Sequence, residues 1–100
     1  MAVLSIHLQE GFEDDLVIVR LNGAEAARRS HLTTQRLLGY AGIIDLPKPA
    51  GGDIQLDLSL PDRRLSASAT VPGAGDSFVA ANVTDGRLQL AVRDRPFAYV

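Results

Sequence analysis

The sequence predicts an all-β chain folded as a single antiparallel β-sandwich over residues 1–100, and three observations predict it. Residues 54–71 alternate apolar and polar side chains twice around a Pro61-Asp62 turn. Asn22-Gly23 and Asp85-Gly86 each separate two runs whose apolar positions match in register. Turn signals recur about every ten residues, the rhythm of short hairpin-linked strands, about seven to nine of them. The arrangement resembles immunoglobulin-like or transthyretin-like sandwiches; a flattened β-barrel is the alternative.

The hairpin over 54–71 carries the strongest pattern. With residues 61–64 as the turn, Leu60 faces Leu65, Leu58 faces Ala67, Leu56 faces Ala69 and Ile54 faces Val71, so every apolar residue falls on one face. Gln55, Asp57 and Ser59 share the other face with Arg64, Ser66, Ser68 and Thr70, as a sheet with one wet side requires.

In chain order, Val3–Leu8 alternates Leu4, Ile6 and Leu8 against Ser5 and His7 and reads as a first strand with one buried face. A polar, acidic loop follows. Residues 16–21 are apolar at nearly every position and predict a central strand covered on both sides. Asn22-Gly23 tolerates the positive φ that a type I′ turn demands, and an unbroken register from it pairs Arg20 with Glu25, Val19 with Ala26 and Val17 with Arg28. Its small alanines make 24–29 a weak strand at a sheet edge.

Residues 30–42 read two ways, as a short strand through 35–38 or as one helical turn, because Leu37, Leu38 and Ala41 have helical spacing while Gly39 and Gly42 interrupt it. Residues 43–46 predict a short strand stopped by Pro47 and Pro49. The third hairpin turns at Asp85-Gly86 and pairs Val83 with Leu88, Ala81 with Leu90 and Val79 with Val92. The end, 96–100, is expected to be extended, with Phe97 or Tyr99 packed in this domain or against a partner.

Composition narrows the function classes. The chain has 100 residues, a length of one domain, and 46% of them are hydrophobic. It contains no cysteine, which removes disulfides, thiolate metal sites and thiol nucleophiles. A net charge of −2 with interspersed signs leaves no footprint for nucleic acid or an anionic membrane. There is no basic segment ahead of an apolar run at the start and no stretch long enough to span a bilayer, so a cytoplasmic protein is the expectation.

Residues 73–80, Gly-Ala-Gly-Asp-Ser-Phe-Val-Ala, resemble the second signature of the ribokinase-like sugar kinases. In that family the loop forms an anion hole at a helix N-terminus, and the resemblance would make Asp76 the base. The resemblance ends there: the next residues run into the Asp85-Gly86 turn instead of a long helix, and the chain has no room for that family's parallel sheet. The stretch reads as a glycine-rich turn before a strand.

Four carboxylates in the acidic loop, Glu10, Glu13, Asp14 and Asp15, are oxygen ligands of the type Ca²⁺ takes, without the spacing of an EF-hand. His7 and His31 have no orienting carboxylate nearby in sequence and read as surface histidines, and no serine has a nucleophile-elbow context. No catalytic residue and no cofactor is implied.

What remains is a non-enzymatic protein-interaction or assembly module, self-associating through edge strands into a homo-oligomer or pairing with another protein. Phe12, Arg28, Arg29, Phe97 and Tyr99 are the interface candidates, and Lys48, the one lysine, is the available edge guard. The alternative is a small-ligand or Ca²⁺-binding sandwich using loop 10–15. A third reading is an enzyme with a site built between subunits from His7, His31 or Asp76.

Overall fold

The computed structural model of the chain describes residues 2–97. Its strands are β1 (Val3–Leu8), β2 (Asp15–Leu21), β3 (Ala24–Leu32), β4 (Gly42–Pro47), β5 (Ile54–Leu60), β6 (Leu65–Val71), β7 (Ser77–Thr84) and β8 (Arg87–Arg93). They form two packed four-stranded sheets without closing into a barrel: sheet I in the order β4-β1-β7-β8, sheet II in the order β3-β2-β5-β6. Among the described residues no helix is long and apolar enough to cross a membrane.

Between the sheets, Leu4, Ile6 and Leu8 of β1 and Val79 and Ala81 of β7 meet Val17 and Val19 of β2 and Leu56, Leu58 and Leu60 of β5, all fully buried. The β5–β6 hairpin has the expected register from Ile54↔Val71 to Leu60↔Leu65, and its chain reverses through a 3-10 turn at Pro61–Arg63 that ends on Arg64 at φ +55°. The β7–β8 hairpin likewise pairs Val83 with Leu88, Ala81 with Leu90 and Val79 with Val92. Asn22 and Gly23 stand at φ +51° and +85°, the mirror-image turn that matches strand twist.

Several expectations need correction. β1 and β7 run parallel, Leu4↔Ser77 to Leu8↔Ala81, so the sandwich is not wholly antiparallel. In the β2–β3 hairpin Arg20↔Glu25 holds, but a bulge at Ala26 then shifts the register, giving Val19↔Ala27 and Ile18↔Arg28. The extra residue turns Ala27 into the core and leaves Arg28 outside. It also brings Glu25 and Arg28 to one face, where they form an ion pair at 2.7 Å. That hydrogen bond from Arg28 holds the Glu25 carboxyl below its ordinary pKa.

For 30–42, the helical-turn alternative is the one that forms. Gln35 and Tyr40 make an isolated bridge, and the Leu38 and Gly39 N–H groups both donate to the Gln35 carbonyl, which throws Leu37 and Leu38 outward at the tip. Residues 94–97 are not a strand, and Tyr99 lies outside the described residues.

Lys48 guards no edge. Its ammonium donates to the carbonyls of Pro72 and Gly75 and to the Ser77 hydroxyl, at 2.6–2.7 Å, using all three N–H bonds. It ties the segment after β4 to the loop before β7.

Candidate functional site

The two outer faces of the sandwich differ in chemistry. On sheet II the cross-strand row Glu25–Arg20–Asp57–Ser68 is polar throughout, and the Ser68 hydroxyl donates to Asp57. On sheet I the rows run Asp45–Ser5–Phe78–Arg93 and Ile43–His7–Ala80–Ala91. This face carries an open groove of about 440 Å³. Val3, Ile43, Phe78 and Pro96 supply its apolar walls, and Ser5, His7, Asp45 and Asp76 its polar groups.

β1 positions the centre because its odd residues all point outward, away from Leu4, Ile6 and Leu8. The Ser5 hydroxyl donates to Asp45 Oδ1 at 2.5 Å, and Ser5 Oγ lies 3.1 Å from His7 Nε2. An ionised carboxylate only accepts, so the serine proton points to Asp45 and His7 Nε2 carries the hydrogen toward Ser5. His7 is therefore a donor in this chain of three and does not take the serine proton, the reverse of a nucleophile–base pair.

His7 was expected on a wet surface; it is 7% exposed, and Ser5 is 6%. The chain after β8 turns back over this face, setting the Phe97 ring edge-on to His7 with centroids 4.9 Å apart, while Phe78 stands 6.5 Å away. Burial pushes the His7 pKa down, and the nearby Asp45 charge opposes that less strongly. The Arg93 guanidinium sits over the Phe97 ring, 4.8 Å from its centre.

Asp76 belongs to the same groove, on the opposite flank of β1 from Asp45. Its Oδ1 accepts the Val3 N–H at 2.8 Å, and the residues that follow it form strand β7, not a helix. The phosphate-cradle geometry implied by the sugar-kinase resemblance is thus absent at this loop.

The acidic loop is knitted into the fold instead of opened toward a cation. Asp15 is buried, its Oδ2 accepting the Glu13 N–H at 2.8 Å and its Oδ1 lying 3.5 Å from Arg63 Nε. Asp14 Oδ1 meets His31 Nδ1 at 2.7 Å. Glu10 is held by its backbone, to Asn82 and Val83. Among the described residues no group of three or more His, Asp or Glu side chains is placed to hold a metal ion, so the four carboxylates are not brought together.

Of the interface candidates, Phe12 is corrected: it is 1% exposed and part of the core, pinned by its N–H to Thr34 Oγ1 and by the Thr34 N–H to its carbonyl. Loop 10–15 folds back around this ring, which is why the loop has no free aromatic. Arg28 and Arg29 are exposed on the edge strand β3, and Phe97 is half-buried on the groove. His31 is exposed and lines no part of the groove.

A second groove of about 460 Å³ lies between the start of β3 and the segment after β4. Its walls are largely alanine and proline, and its ions are already engaged, Glu25 by Arg28 and Lys48 by its three oxygens.

Sequence reasoning missed Ser5, Asp45 and the burial of His7. The available signal was register: once β1 and β4 are paired, Ser5 stands directly opposite Asp45. No family model matches the chain, and neither a curated protein nor a solved structure matches it.

Proposed function

We propose that the chain is a non-enzymatic assembly module that pairs with another protein chain, a second copy in the simplest case, along edge strand β4. The observation that carries this is the state of that edge. β4 pairs with β1 in an unbroken register from Val3↔Pro47 to Leu8↔Gly42, without the bulges that distort β3, and it bears no basic side chain while exposing Ile43. An unguarded flat edge is a template for strand addition. Of the other three edges, β3 is protected by its register shifts and by Arg28 and Arg29, β8 carries Arg87 and Arg93, and β6 exposes no large apolar side chain.

Size-exclusion chromatography with light scattering over a wide dilution series tests the reading. A dimer that persists on dilution and is lost in Ile43→Lys, with an unchanged melting temperature, supports pairing at β4. A monomer at every concentration overturns self-pairing.

A further inference from the structure

We infer that the groove on the outer face of sheet I is a docking site for an extended protein segment that presents an arginine and an aromatic ring on the same side. The site lies on the face of the sheet and stands whether or not β4 pairs with another strand.

The aromatic half of the specificity is visible in the chain itself. Phe97 packs against His7, with Phe78 6.5 Å from the imidazole and Pro96 forming part of the wall, so this face already accepts an aromatic ring. This tail occupies the aromatic position and leaves the charged one open. Arg93 is committed to the face of Phe97, and Arg95 is exposed, with only a 3.9 Å approach to Asp94.

The charged half follows from Asp45 and Asp76. Each uses Oδ1 within the fold, for the Ser5 hydroxyl and the Val3 N–H, and among the described residues neither Oδ2 has a hydrogen-bond partner. They flank β1 from either side, two strand spacings across and two residues along, about 12 Å apart at the backbone. No lysine or arginine lines the groove. Two carboxylates stand beside apolar walls and, among the described residues, neither is in an ion pair; a guanidinium, which binds carboxylates through a planar fork, is the complementary group. Residues two apart on an extended strand point the same way, so an Arg-x-Phe spacing in a strand delivers both groups to one face; the chain's own Arg95 and Phe97 share that spacing but stand at a bend, and Arg95 stays in solvent.

The tail then acts as a built-in competitor. A ring tethered next to its own site has a high effective concentration, so an incoming segment must displace Phe97 before it can seat.

The test uses the full chain and a capped, labelled peptide, acetyl-Ala-Arg-Ala-Phe-Ala-amide, with binding read by fluorescence anisotropy. Phe97→Ala should bind it at least about tenfold more tightly than the parent, because the competitor is gone. Asp45→Asn or Asp76→Asn added to Phe97→Ala should each weaken binding about fivefold or more; asparagine keeps an oxygen acceptor for Ser5 or Val3, so the fold is retained. Affinity for Phe97→Ala should also fall with added salt, and a peptide with glutamine for arginine should not bind. Absence of binding to Phe97→Ala, or affinity indifferent to salt and to the arginine, overturns the proposal. Peptide binding to Phe97→Ala that persists at a dilution where light scattering shows a monomer separates this site from the β4 reading.

Discussion

The His7 and Phe97 rings meet in an edge-to-face pair, 4.9 Å between centroids, so a histidine on the outer face of a sheet is all but closed to water. The two residues come from opposite ends of the chain, and the contact makes the state of one depend on the placement of the other.

The first consequence is a pH dependence of stability. Burial lowers the folded-state pKa of His7 below its ordinary value of 6.5. The unfolded chain therefore takes up this proton first as pH falls, and the His7 contribution is present above about pH 6.5 and is lost as pH drops through the folded pKa. Melting temperature measured from about pH 7.5 to about pH 5 should fall more steeply for the parent than for His7→Gln, whose amide can still donate to Ser5. Equal slopes would remove His7 as the cause.

Removing the Lys48 ammonium should loosen one end of the sandwich. Its three hydrogen bonds join the segment after β4 to the Pro72–Ser77 region, and each acceptor loses a charged donor in Lys48→Met. A loss of about 2 kcal/mol is expected, or roughly 10 °C in melting temperature for a domain of this size. Thermal denaturation followed by circular dichroism measures it.

Gly11 should tolerate no side chain. It stands at φ +86°, and a Cβ there would come within 2.1 Å of the Val83 carbonyl oxygen. Backbone strain and overlap act together, so Gly11→Ala should cost about 3 kcal/mol in chemical denaturation. Because the Gly11 carbonyl accepts both Arg63 guanidinium NH groups, this variant should also raise hydrogen exchange around the Pro61–Arg63 turn.

Phe12 and Arg29 give a paired comparison of core against surface. Phe12→Ala should destabilise by about 3–5 kcal/mol, as large-to-small changes of buried aromatics do. Arg29→Ala, exposed on β3, should stay within about 0.5 kcal/mol of the parent. Urea unfolding curves of the two variants distinguish a loop ring that is a core residue from one that serves a partner.

The hairpins were legible because each is a local object. Asn22-Gly23 and Asp85-Gly86 specify the turn, and the two-residue period of Leu56, Leu58 and Leu60 then allows one register. The bulge at Ala26 was not, since Ala24, Ala26 and Ala27 are equally small and nothing in their order marks which one is extra. The Asp45–Ser5–His7 chain depends on pairing β1 with β4 across about forty residues, and the cover over His7 depends on the far end of the sequence. Lys48 was misread for the same reason: its three acceptors all come from beyond β5 and β6.

The parallel pairing of β1 with β7 imposes an order on assembly. Sheet II is drawn from residues 15–71, a stretch interrupted only by β4 of sheet I, and its neighbours β2–β3 and β5–β6 are hairpin-linked. Sheet I needs Leu4 beside Ser77, a closure that becomes available only when nearly the whole chain exists. During synthesis β1 emerges first yet finds its central partner last, so until then its apolar face can rest only on β4 and the preformed sheet II. This pairing has the longest sequence separation in the fold, so insertion of β7 and β8 alongside the first strand is expected to limit the folding rate.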